Sequence, residues 1–135
     1  MAETFALRIV SPEGSVVKED VEFALLPGEA GELGILPNHA PLISGLDVGV
    51  IRYTKNGVKK KISISGGFVE VLDNKAVILA ETAEPGELID LTRAIAAKER
   101  AEQRLAQRTS DVDVRRAEMA LRKAVARIKA AGQGD

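Results

Sequence analysis

Apolar and polar positions along this chain follow two different periods, and the change falls near Ile89. Before it, short runs with a period of two lie between turn signals. Thr4 to Val10 alternates as a strand, and Ser11-Pro12-Glu13-Gly14 predicts a turn, because proline presets φ and glycine accepts positive φ. Ser15 to Pro27 forms a second run, rich in Val and Phe, that ends at Pro27-Gly28. Val48 to Lys55 and Val58 to Ser65 flank Asn56-Gly57, the strongest short-range hairpin signal in the chain. In the second of these strands Ile62 and Ile64 alternate with Ser63 and Ser65, so one face is wet. Gly66-Gly67 is expected to break the pattern before Phe68 to Leu72. Asp73-Asn74 then turns, and Lys75 to Glu81 closes the set. Many short strands at this spacing predict an all-β sandwich or barrel.

From Ile89 the period becomes helical. Asp90 is the expected N-cap, and Leu91, Ala94, Ile95, Ala101 and Leu105 fall on one stripe. An end near Arg108 is expected, with Thr109-Ser110-Asp111 offering cap residues and Ser110 with Asp113 resembling a capping box. Val114, Ala117, Leu121, Ala124, Ile128 and Ala131 make a regular a/d seam that Gly132 stops. The short connection predicts an antiparallel helical hairpin, residues 86–135, behind a β-sandwich of residues 1–85. Glu84-Pro85-Gly86-Glu87 is the expected linker between them. Both seams are rich in alanine, so the hairpin is expected to be the weakly held part.

The 135 residues, 45% hydrophobic and 29% charged, have the composition of a soluble globular protein. No apolar run reaches the roughly 18–20 residues that span a bilayer, and Met1 to Val10 lacks the layout of a signal peptide, so the chain is expected to stay in the compartment where it was made. With no cysteine, disulfide and thiolate chemistry are absent. The net charge of −1 hides an asymmetry: residues 1–89 hold 8 Lys/Arg against 13 Asp/Glu, and residues 90–135 hold 11 against 7. A basic helical segment invites a phosphate-bearing or anionic partner, or is a solvated face.

Candidate chemistry is sparse. No Walker sequence occurs, Gly66-Gly67 leads into a strand-like run, and His39 has no second His or Cys with which to share a metal. No nucleophile-and-base arrangement occurs either, so catalysis is not expected. The cations are ordered, however. Arg116, Lys123 and Arg127 stand at i, i+7 and i+11, within about 20° of a common line on a helix, and Arg93, Arg100 and Arg104 repeat those offsets. Two such rows would suit a polyphosphate. Alternatively they form a solvated face whose cations pair with Glu99, Glu102 and Glu118.

Two longer motifs carry a resemblance. Gly31-Glu32-Leu33-Gly34-Ile35-Leu36-Pro37-Asn38-His39-Ala40-Pro41-Leu42 resembles the signature loop of the epsilon-subunit family of rotary F-type ATP synthases, and Ser65-Gly66-Gly67-Phe68-Val69-Glu70-Val71 resembles its second signature. The resemblance covers almost the whole chain. It implies a sandwich of about ten strands, bound to the gamma subunit and seated on the c-ring, that turns with the central stalk without performing chemistry. It further implies that the loop carrying Glu32 and His39 approaches the c-ring. In bacterial relatives the hairpin is a brake: extended, it reaches the alpha and beta subunits and opposes hydrolysis; folded, it releases them. Some relatives bind ATP in the folded form through an I-D-x-x-R-A motif, and Ile89-Asp90-Leu91-Thr92-Arg93-Ala94 is similar at every specified position.

The implied ATP site comprises Glu84, Ile89, Asp90, Arg93, Ala94, Arg100, Arg116, Lys123 and Arg127. Lys123 stands where those relatives have arginine, and a lysine does not grip phosphate bidentately, which weakens the expected affinity. ATP would be a regulatory ligand, with no cofactor required and membrane contact only through the complex, at the cytoplasmic face of a bacterial plasma membrane. Two alternatives stay open: the same subunit without ATP binding, and a nucleic-acid-binding module. The second lacks a stacking platform, since Phe5, Phe23, Tyr53 and Phe68 all precede the basic segment.

Overall fold

The structure, a computed structural model, describes residues 3–107 and 113–132. Strands β1 (Phe5–Ser11), β2 (Gly14–Val21), β3 (Phe23–Gly28), β4 (Gly31–Ile35), β5 (Leu42–Lys55), β6 (Val58–Leu72), β7 (Lys75–Ala80) and β8 (Ala83–Pro85) form one sheet. Its order is β2-β1-β7-β6-β5-β3-β4, with β8 added to β6. Among the described residues only β1 and β7 pair in parallel. The sheet folds over into a sandwich around a single core, to which β1 contributes Phe5, Leu7 and Ile9 and β6 contributes Ile62, Ile64, Val69 and Val71.

The resemblance implies about ten strands and the described residues hold eight, because β5 and β6 are unusually long. They pair in one register from Leu42↔Val71 to Lys55↔Val58. The expected break at Gly66-Gly67 does not end β6. Both glycines have positive φ, 113° and 154°, so the strand bends and continues, pairing with β8 before the bend and with β7 from Gly67 on.

The expected run Ser15 to Pro27 is two strands. The chain changes partners at Glu22: Val21 ends the pairing with Phe5, and Phe23 begins pairing with Thr54. The Glu22 carboxylate accepts the N–H groups of Asn56 (3.1 Å) and Gly57 (3.2 Å), tying this switch to the hairpin turn that the Asn-Gly pair predicts. Part of the signature loop is also a strand, since β4 pairs with β3 and β5 begins at Leu42, ahead of the expected Val48. The expected linker is built into the sandwich as well: Glu84 and Pro85 pair with Ser63 and Ile62, and a short 3-10 turn follows at Gly86–Leu88.

Helix α1 spans Leu91–Gln107 and α2 spans Val114–Ala131. The Asp90 carboxylate accepts the Arg93 N–H at 3.1 Å, the predicted cap. Asp113 caps α2 itself, accepting the Arg116 N–H at 3.0 Å; the expected helix end at Arg108 and the cap at Ser110 lie outside the described residues. Gly132 ends α2 with extended backbone, and its N–H donates to Ile128 O at 3.0 Å.

Ala94, Ala101, Ala117 and Ala124 of the predicted seams are buried, whereas Leu91, Ile95 and Val114 remain about 40% exposed. Helix α2 has a second buried face that its seam did not predict. Ala126 and Ala130 pack with Val50, Ile89 and Ala94, because α2 lies between α1 and the sandwich.

Candidate functional site

The contact between α2 and the sandwich gathers the chain's polar chemistry. Glu84 on β8 and Arg127 on α2 form an ion pair, Nε to Oε1 at 2.8 Å, and an Arg127 terminal nitrogen also donates to Oε2 at 3.4 Å. One turn earlier on α2, Lys123 shares with these two residues a cleft of about 480 Å³, whose sandwich wall includes Ser63, Ser65, Glu81 and Thr82. The Thr82 hydroxyl donates to Ser65 Oγ at 2.7 Å. Of the nine residues expected to hold ATP, the cleft therefore brings together Glu84, Lys123 and Arg127.

The other six take different places. Ile89 and Ala94 are buried under α2, with no polar side-chain atom to offer. One Asp90 carboxylate oxygen is engaged in capping α1. Arg93 and Arg100 on α1 and Arg116 on α2 are exposed. Arg116 and Arg127 are eleven residues apart, about 16 Å of helix rise, so a ligand touching both must lie along α2.

Two further contacts hold α2 down, and the sequence did not disclose them. Arg122 pairs with Asp47 of β5 at 2.6 Å. That hydrogen bond, with a second from the Val48 N–H, keeps the Asp47 carboxyl below its ordinary value. Lys61 on β6 donates to Lys129 O (3.3 Å) and Gly132 O (2.9 Å), capping the negative end of the α2 dipole. These partners are 68 to 75 residues apart in sequence, and no local pattern links them.

Glu32 and His39 are not brought together. Glu32 is exposed near the start of β4, opposite Pro27, whereas His39 lies in the loop beyond its far end, and the strand runs about 10 Å from Glu32 to its end at Ile35. His39 is held locally, its N–H donating to Leu36 O (3.2 Å) and its Nδ1 to Ala40 O (2.7 Å). Asn74, which the sequence marked only as a turn residue, fixes this loop. Its Oδ1 accepts the Asn38 N–H at 2.7 Å and its Nδ2 donates to Thr4 O at 3.0 Å.

The outer face of β1, β7 and β6 carries an apolar row. Val10 pairs with Leu79, and Leu79 with Phe68. Phe68 and Leu79 are 63% and 56% exposed, and Ile43, 75% exposed, stands on neighbouring β5. These side chains leave an exposed apolar row on that face of the sheet. No helix among the described residues is long and apolar enough to cross a membrane.

A β-sandwich followed by a two-helix hairpin docked on its outer face defines the class. Residues 4–86 match the family described as ATP synthase, Delta/Epsilon chain, beta-sandwich domain, and residues 87–132 match ATP synthase, Delta/Epsilon chain, long alpha-helix domain. The ATP synthase epsilon chain of Desulfitobacterium hafniense is 70% identical over 131 residues, covering 97% of this chain and 98% of that one. That of Bacillus velezensis is 46% identical over 130 residues, covering 96% and 98%. A chain of the Euglena gracilis mitochondrial ATP synthase, in a structure of its OSCP, F1 and c-ring, superposes with a TM-score of 0.81 at 25% identity, covering 97% of this chain and 82% of that one. The chain belongs to the ATP synthase delta/epsilon family, as an epsilon-type, non-catalytic subunit of the central stalk of the F-type enzyme.

Proposed function

We propose that the sandwich couples the c-ring to the gamma subunit while the hairpin moves between a docked and an extended position, inhibiting ATP hydrolysis when extended along gamma against the alpha and beta subunits. The observation that carries this reading is how α2 is held. Its buried residues are the alanines Ala117, Ala124, Ala126 and Ala130, and its polar contacts to the sandwich are partly exposed: the Arg127–Glu84 side chains are 24% and 41% exposed, and the Arg122–Asp47 side chains 47% and 46%. Each such ion pair contributes about 1 kcal/mol or less, so release of the helix costs little while the β core is untouched. The apolar row through Phe68 and Leu79 supplies a face for gamma, and the loop around His39 a rigid tip for the c-ring. Such a subunit sits on the cytoplasmic face of a bacterial membrane, held there through the complex.

ATP stabilises the docked form by binding along α2, with its phosphates at Lys123 and Arg127. Arg127 then exchanges part of its pairing with Glu84 for phosphate, and stability of the docked hairpin rises as RT ln(1 + [ATP]/Kd). Calorimetric titration of the whole protein with ATP tests this. Saturable heat that Lys123→Ala and Arg127→Ala each weaken by about tenfold is expected. Absence of heat up to several millimolar overturns the ATP arm and leaves a brake governed by partner contacts alone. Deleting residues 90–135 and assaying hydrolysis by the assembled enzyme tests the brake: faster hydrolysis is expected, and an unchanged rate overturns it.

A further inference from the structure

Three sandwich cations share one outer face of β3, β5 and β6, away from the cleft at Glu84. Arg52 stands directly opposite Lys61, and Lys59 opposite Thr54, so the register places all three on the same side. Leu25 and Phe23 flank the same two rows from β3. Directly opposed side chains lie about 5 Å apart at Cβ and diagonal ones about 7–8 Å, so Arg52, Lys61 and Lys59 form a compact triangle.

Like charges facing across a strand pair are destabilising unless something negative sits over them. For Lys61 that is the carbonyl end of α2. Arg52 has no such partner: its Nε is shielded from solvent and makes no hydrogen bond among the described residues. Lys59 is exposed and forms no ion pair among the described residues. The opposite face of the same hairpin differs, since there Lys55 and Lys60 are matched by Glu19 (3.6 Å) and Glu87 (3.9 Å). The unmatched cations border a cleft of about 480 Å³ floored by Phe23 and Leu25, in which Glu32 is the single carboxylate among the described lining residues.

We propose that this cleft is an anion site for a compact di- or triphosphate group, separate from the α2 cleft at Lys123 and Arg127. Arg52 offers its fork and Lys59 its ammonium to neighbouring phosphates, the charge-assisted pairing for which guanidinium and ammonium groups are suited. Because Lys61 holds the last carbonyls of α2 beside it, occupancy of the cleft also bears on the seating of the helix end.

The test is an NMR titration of the full-length protein with inorganic tripolyphosphate and, separately, with ATP. The shielded Arg52 Nε–H and the amides of Lys59 and Lys61 report on this site, and the amides of Lys123 and Arg127 on the other. Saturable shifts at the first set are expected with both ligands, with Arg52→Gln and Lys59→Gln each weakening affinity about tenfold and Glu32→Gln tightening it. Equal affinity for the two ligands assigns the site to the phosphate chain alone; tighter ATP binding adds the base, stacked on Phe23. Lys59 is exposed, so its variant keeps the fold and isolates the charge. Shifts confined to Lys123 and Arg127, or shifts at Arg52 that Lys59→Gln leaves unchanged, overturn the proposal without touching the reading of the other cleft.

Discussion

Gly86 and Ala130 meet with no side chain between them: a methyl group placed on Gly86 would fall well inside van der Waals contact with the Ala130 carbonyl oxygen. The 3-10 turn that links sandwich to hairpin is therefore also the seat on which the last turn of α2 rests. Gly86→Ala should lift that turn at a cost of about 1–3 kcal/mol, the scale for overpacking a close contact. Amide exchange should quicken at Ala126 to Ala131 and stay unchanged at Leu7 and Ile78, which belong to the sandwich core. Unchanged exchange along α2 would show that the seat is not needed.

The Arg127–Glu84 pair gives a second expectation. Arg127→Ala should destabilise the docked helix by about 1 kcal/mol, and a double-mutant cycle with Glu84→Gln should return a coupling of about 0.5–1 kcal/mol that shrinks as salt is added. A coupling near zero at low salt would mean that the two side chains hold nothing together.

Acid dependence follows from Asp47. Its carboxyl is held below the ordinary 3.8, first by the hydrogen bond from Arg122 and then by that from the Val48 N–H. A carboxylate with a depressed folded value stabilises the folded form fully above its unfolded value and loses that contribution as pH falls through the folded one. The Asp47–Arg122 contact should thus be constant through neutral pH and fail only below about 3.8. Carbon-detected titration of the Asp47 carboxyl checks the direction, and Arg122→Gln should move its midpoint up.

At the alkaline end Tyr53 takes over. Burial, and after it the charges of Glu19 and Glu87, push its hydroxyl up to about 12. The unfolded chain ionises this group at about 10, so the stability it contributes is complete below that value and is lost as pH rises toward the folded one. The chain has one tyrosine and no tryptophan, so tyrosinate absorbance reports this group alone. A midpoint near 10 in the folded protein would contradict the burial.

Much of this molecule is written in local pattern. The Asn56-Gly57 hairpin, the turns at Ser11 to Gly14 and Asp73-Asn74, the Asp90 cap and the helical period after Ile89 each depend on a few adjacent residues, whose intrinsic φ preferences and side-chain hydrogen bonds act within one turn. The two signature segments and the Ile89 to Ala94 motif are equally legible, being continuous stretches of chain. What tertiary structure alone decided is which strand continues and which face pairs. Gly66-Gly67 looks like a stop and is a bend, because β5 lies alongside to keep the ladder closed; Glu84-Pro85 looks like a linker and is a strand, because β6 offers it a free edge. The second buried face of α2, and its contacts to Asp47, Lys61 and Glu84, arise only once the helix lies on the sandwich. Side chains dozens of residues apart then become neighbours through burial and charge, which no periodicity along the chain encodes.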